Sequence, residues 1–232
     1  MPAPQYLVAV QQSCRLRYQN IMLMKRLFTT VLALCVLLAL HGQNFEGKIV
    51  YQNTYKSKLP AVTDEQWKGM LGDRQDYYIK GGDYRSTTNG SLVLWQLYSH
   101  QENRLYNKMA GSEVVFWNDG SVNADEVLDF KLNKNATVIL GYPCDELILI
   151  TKNGTQKYYF SSRLAVDARL FTQHKFGNWA DYLSRASALP LKQIVESPQL
   201  IMESLAIEVT PAPLDAKDFL LPAGIQTAKS PY

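Results

Sequence analysis

A chain of 232 residues with 47% hydrophobic and 19% charged side chains has a globular composition, which excludes a disordered, collagenous or polytopic membrane protein. Three cysteines are too few for a disulfide scaffold. The formal charge of +3 belongs to the amino terminus: residues 1–42 hold four of the 24 basic side chains (Arg15, Arg17, Lys25 and Arg26) and no acid, leaving 20 basic against 21 acidic. A nearly neutral body has no electrostatic reason to seek nucleic acid or anionic head groups.

Residues 1–23 show no periodicity and precede a self-sufficient export signal, so they read as an over-long start outside the fold. From Met24 the pattern is that of a signal peptide: Lys25 and Arg26, an uncharged apolar run over 27–40, then His41, Gly42 and Gln43. At about 1.5 Å per residue that run spans roughly 21 Å, short of the roughly 30 Å hydrocarbon core, so cleavage after Gly42 is expected rather than an anchor. Lipidation at Cys35 is the weaker reading, because Leu34 is bulky and the apolar run continues past it. The mature protein is then periplasmic or secreted, with no transmembrane span, and forms one domain over 43–232.

The body reads as a series of short strands. Over 45–56, Phe45, Ile49, Tyr51 and Tyr55 alternate with Glu46, Lys48, Gln52 and Lys56, the period of a strand with one wet face. A short helix follows at 63–71, with a Thr63-x-x-Gln66 capping box and acids in its first turn. Strands are predicted at 75–80, 83–88, 92–99, 104–109, 113–117, 127–132 and 136–140, punctuated by Gly81-Gly82, Asn89-Gly90 and Asp119-Gly120. A hairpin over 145–160 turns at Asn153-Gly154. Its first strand is apolar on both faces, which predicts burial beneath another layer. Residues 167–186 carry Leu170, Phe171, His174, Phe176, Trp179, Tyr182 and Leu183 at helical spacings, with Gly177 expected to interrupt the run. Strands at 194–195 and 200–209 close the series. The fold class is mainly β with a few helices: a strongly curved antiparallel sheet forming an incomplete barrel, capped by helices.

No motif for a catalytic nucleophile, phosphate loop or metal centre is present, so neither catalysis nor a metal or other cofactor is expected. His100 and His174 fall in separate elements and read as surface histidines. Cys144, after a Gly/Pro turn, reads as a small buried hydrophobe. Asn89, Asn135 and Asn153 match the N-glycosylation pattern, and at least two of them read as turns. The aromatic load is the informative feature, since rings fill cores and also line cavities for apolar ligands.

Phe45-Glu-Gly-x-Ile-x-Tyr51, Tyr78-Ile-Lys-Gly-Gly-Asp-Tyr-Arg85, Ile139-Leu-Gly-Tyr-x-Cys-Asp145 and Leu214-Asp-x-x-x-Phe219-x-Leu-Pro222 follow one another in this order. In that order and spacing the chain, over about 44–225, resembles an uncharacterised family of bacterial secreted proteins grouped with the lipoprotein-carrier (LolA/LolB-like) folds. The resemblance implies a half-barrel whose helices cover an apolar cavity, which in the better-known carriers takes up the acyl chains of lipoproteins. On that basis Phe171, Phe176, Trp179 and Tyr182 are candidate ligand-binding residues on the later helical segment, with Trp67 on the first helix. Trp95 is a weaker candidate, because Trp95 and Tyr98 have opposite parity and only one of them faces inward. Arg85, which matches the family's strand arginine, holds a lid or forms a surface ion pair. Two functions are expected from this reading: a carrier of a lipid, lipoprotein or other apolar ligand, or a non-catalytic cell-envelope interaction or structural module with a self-filled core and a protein partner.

Overall fold

The alternation at the start of the body forms strand β1 (Gly47–Ser57), with Ile49, Tyr51, Asn53 and Tyr55 buried on one face and Gln52, Thr54 and Lys56 in water on the other. The computed structural model describes residues 44–231, so the expected over-long start, the expected signal peptide with its cleavage point, and Cys35 lie outside the described residues. The further strands are β2 (Arg74–Lys80), β3 (Asp83–Thr88), β4 (Val93–Ser99), β5 (Arg104–Met109), β6 (Val115–Asp119) and β7 (Val127–Ile139). They are followed by β8 (Tyr142–Thr151), β9 (Thr155–Ala165), β10 (Ala188–Glu196), β11 (Leu200–Pro211) and β12 (Thr227–Lys229).

All twelve join one sheet in the order β12-β6-β5-β4-β3-β2-β1-β11-β10-β9-β8-β7. Two antiparallel meanders, β1 to β6 and β7 to β11, are thus zipped together by the pairing of β1 with β11. The sheet does not close on itself and is an incomplete barrel.

Connectivity alone requires that curl. β6 and β7 stand ten interstrand steps apart. Laid flat at about 4.8 Å per step, they would be roughly 48 Å from each other. Yet only residues 120–126 connect them, and eight peptide steps reach at most about 28 Å. The sheet has to roll until its two margins face each other, and this connection bridges the mouth.

Two α-helices accompany the sheet, α1 (Asp64–Leu71) and α2 (Trp179–Ala186). The capping box before α1 forms in both directions, with Gln66 N donating to Thr63 Oγ1 and Thr63 N donating to Gln66 Oε1. The region read as helical over 167–186 is only partly so. It holds two short 3-10 turns, Ala168–Phe171 and Phe176–Asn178, before α2, and Gly177 at φ 64° breaks the run. Among the described residues no helix is long and apolar enough to cross a membrane.

Two further expectations are corrected, and one pairing has no counterpart among them. The strands predicted at 127–132 and 136–140 are one, β7, interrupted by a bulge between Asn133 and Thr137 where Asn135 takes φ 52°. β8 is covered on one face only: Leu147 and Leu149 are fully buried, whereas Ile150 on the other face is 40% exposed. β12 pairs parallel to β6, a contact of three residues that no local pattern announces.

Each face of the sheet has its own covering. On the concave face, residues 166–188 form a plug that supplies Val166, Phe171, Tyr182, Leu183 and Ala188 to the main core. On the convex face, the carboxy-terminal strap lays Leu214, Phe219, Leu221 and Ile225 over Leu97, Tyr106 and Val115. The plug is tied to the bridging connection, because the N–H groups of Lys175 and Phe176 both donate to the Gly120 carbonyl. Asn123 Nδ2 donates to Asn178 Oδ1 at 2.6 Å.

Gly120 sits against Asn103, and a Cβ there would overlap the Asn103 side chain and approach its carbonyl oxygen to 2.8 Å. Asn103 in turn accepts from Tyr98 Oη and donates to the Gln173 carbonyl. Gly120→Ala is therefore expected to lower stability by about 1–3 kcal/mol, the range for overpacking. Urea unfolding measures it, and an unchanged midpoint would contradict this junction.

Candidate functional site

The hollow of the half-barrel is where the resemblance places a ligand, and the chain's own rings stand there. β1, β2, β3 and β4 send Tyr51, Tyr77, Tyr84 and Tyr98 inward from successive strands, with Tyr84 directly opposite Tyr98 and Tyr51 and Tyr77 each staggered by two residues from the next tyrosine. Tyr77 stacks on Tyr84 with ring centroids 5.3 Å apart, and Tyr84 stacks on Tyr98 at 5.2 Å.

The plug descends onto this row. The His174 ring lies flat on Tyr98, with centroids 3.9 Å apart and planes 9° from parallel. Its Nε2 is 2.7 Å from the Tyr84 hydroxyl. Phe171 stacks on the same Tyr98, and Tyr182 stacks on Tyr158 at 4.1 Å while meeting Phe160 edge-on. Two hydroxyls lock the arrangement to the backbone: Tyr182 Oη donates to the Ala188 carbonyl, and Tyr51 Oη donates to the Pro190 carbonyl.

Burial sets the protonation states here. It raises the phenols of Tyr51, Tyr77, Tyr84 and Tyr182 well above their ordinary value and pushes Tyr98 up to about 12. It lowers His174 to about 3, so the imidazole is neutral at physiological pH. Burial likewise raises the Cys144 thiol, whose Sγ donates to the Tyr142 carbonyl. Cys144 is the small buried side chain that its context predicts, without the depressed pKa of a nucleophile. No cluster of three or more His, Cys, Asp or Glu positioned to hold a metal occurs among the described residues.

Of the residues singled out in the sequence, the structure brings Phe171, Trp179 and Tyr182 together in the hollow. The others lie elsewhere. Trp67 packs on the end of β1, where its Nε1 donates to Ser57 Oγ, away from the ring cluster. Phe176, on a 3-10 turn, is 37% exposed. Trp95 faces outward under the strap beside Leu97, and Tyr98 is the member of that pair that faces in. Arg85 lies beside the carboxy-terminal strap, near Asp218 and Leu220, and forms no surface ion pair among the described residues. It also faces outward, stacked 5.1 Å from the centre of Tyr78, with its Nε buried without a partner.

His174 is the residue most misread from sequence. It is 1% exposed rather than a surface side chain. The 3.6-residue spacing already put it on the apolar face of its segment, which was the available signal. His100 is half-exposed, with Nδ1 2.9 Å from Asp83 Oδ1.

A cleft of about 140 Å³ remains between Trp179 and strands β1 to β4 and β10. Its walls are the Tyr51, Tyr77, Tyr84 and Trp179 rings with Gln75, Gln96, Gln193 and Ser86. Tyr77, Ser86, Gln96 and Asn107 stand directly opposite one another across β2 to β5, so one band of the concave face is neutral and polar.

No protein-family model and no curated protein matches the chain. Among solved structures, PNGF-II in the P21 and C2 space groups aligns with 80% of this chain at 12% identity, with TM-scores of 0.44 and 0.43. The chain spans about a third of the length of that protein, 32% and 31% in the two crystal forms.

His174 gives the fold a defined pH dependence. The unfolded chain takes up a proton near the ordinary value of 6.5, which the folded chain excludes until about 3. Its contribution is therefore complete above pH 6.5 and is lost as the pH falls, at about 1.4 kcal/mol per unit. Between pH 7 and 5, before carboxylates titrate, unfolding free energy should drop by about 2 kcal/mol. His174→Phe, measured the same way, should remove that drop, and an identical slope in the variant would refute the assignment.

Proposed function

We propose that this is a non-catalytic, exported module of the cell envelope that works through its surfaces and a small residual cleft, with the hollow of its half-barrel filled by its own plug. The observation that carries this reading is the fully buried set Phe171, His174, Tyr182 and Leu183 seated against the concave face. An acyl-chain carrier gains about 0.8 kcal/mol per methylene by keeping such a space free. Binding sites for ligands of that size run to roughly 300–1,000 Å³, against the 140 Å³ cleft with amide-rich walls found here.

The outermost strand also supports an interaction role. β7 is 13 residues long with one side unpaired, and it exposes Leu128, Phe130 and Val138 at 62%, 49% and 66%. Open edges of that kind are templates for pairing with another chain, and contiguous exposed apolar patches mark interaction sites.

Native mass spectrometry of the exported form from a membrane-containing host tests the proposal, with the bare polypeptide mass expected. A co-purifying lipid adduct would favour the carrier reading instead. Phe171→Ala gives an independent test. A core ring lost from this site costs about 3–5 kcal/mol of stability, whereas a lid residue facing a ligand would cost little and change uptake of a fluorescent fatty acid.

A further inference from the structure

We propose that the residual cleft on the concave face is a binding site for a single neutral sugar residue. This rests on the reading of the plug as a permanent part of the core, because Trp179 of α2 forms one wall of the cleft.

The walls select the ligand by exclusion and by match. None of the nine residues lining the cleft is an acid or a base. A phosphate, carboxylate or ammonium would have to leave water with no counter-charge, so charged ligands are disfavoured. A purely apolar ligand is disfavoured as well, because it would desolvate three glutamines and a serine without replacing their hydrogen bonds.

What remains is a neutral molecule with hydroxyl groups on its rim and C–H surface on its faces. Each glutamine amide offers both a donor and an acceptor, the combination a hydroxyl requires. The side chains of Gln75 and Gln193 make no hydrogen bond within the described structure, so both amides are available. Gln96 Nε2 donates to Asn107 Oδ1, which fixes that amide and leaves Gln96 Oε1 to accept.

Two buried donors on the same walls have no partner among the described residues, the Tyr77 hydroxyl and Trp179 Nε1. Buried polar groups are nearly always satisfied, and a small shift of either ring would be needed to turn its donor toward a hydroxyl in the cleft. The aromatic walls offer ring surface to the C–H faces of a pyranose. They are held in place, since Trp179 packs against Tyr84 and Tyr182, and Tyr51 is tied to Pro190. The volume is that of four to five waters at roughly 30 Å³ each, which suits one ring and not a chain.

The test is titration of the ¹⁵N-labelled protein with methyl glycosides of glucose, galactose, mannose and N-acetylglucosamine, with adenosine and an acetylated glutamine amide as comparison ligands. Of the four indole resonances, that of Trp179 is assigned by its loss in Trp179→Phe. A saturable shift of this resonance with at least one glycoside, at a Kd in the millimolar range, is expected. Gln75→Ala and Gln193→Ala should each weaken binding by about tenfold while leaving the urea midpoint in place. No saturable shift with any glycoside, an equal or larger one with adenosine or the amide, or shifts indifferent to both glutamine variants would overturn the proposal. Lipid uptake is read by mass and sugar binding by this resonance, so failure of one is distinguishable from failure of the other.

Discussion

The short connection between β6 and β7 constrains everything else in this fold. Strands at the two ends of an eleven-strand series are joined by residues 120–126, and a flat sheet would put them out of reach. The chain therefore has to curl, and curling creates a concave face whose apolar rings need a covering. Residues 166–188 provide it. That they bond to the same connection through Gly120 and Asn123 makes the mouth and the plug one structural unit.

The sheet is loaded differently on its two faces and along its length. Inward positions nearest the plug carry tyrosines, and those further along carry Gln75, Ser86, Gln96 and Asn107. The aromatic part is consumed by packing, with Phe171, His174 and Tyr182 stacked against it. The polar part faces the remaining cleft. On the proposed reading, a surface of neutral amides beneath a ring of tyrosines suits small hydroxylated molecules better than acyl chains, and recognition in the hollow would belong to its polar band.

Much of this architecture was legible in the sequence, and the reasons are local. Alternation at Ile49, Tyr51 and Tyr55, the Thr63–Gln66 box, the Asn153-Gly154 turn and the break at Gly177 each act within a few residues, and each formed. What the sequence hid depends on partners distant along the chain. His174 reads as polar by residue type and became a core ring because Tyr98, far upstream, presents its face. Trp95 and Arg85 turned outward because the strap around Phe219 covers the convex face, and no periodicity in the strands reveals which face a tail will cover. β8 kept Ile150 exposed for the converse reason, since no segment among the described residues covers it. The cleft was illegible because glutamines scattered over β2, β4 and β10 converge only after the two meanders zip together.

The central claim is that the plug is core and not a lid, and native-state hydrogen exchange tests it most directly. The N–H of His174 bonds to the Phe171 carbonyl and that of Ala180 to the His174 carbonyl, both within the plug. If the plug is core, these amides open only with the whole sheet. Their exchange should then show the same free energy and denaturant dependence as the central residues of β1. Fast, denaturant-independent exchange confined to 166–188, with β1 still protected, would show a hollow that opens on its own and would contradict the account.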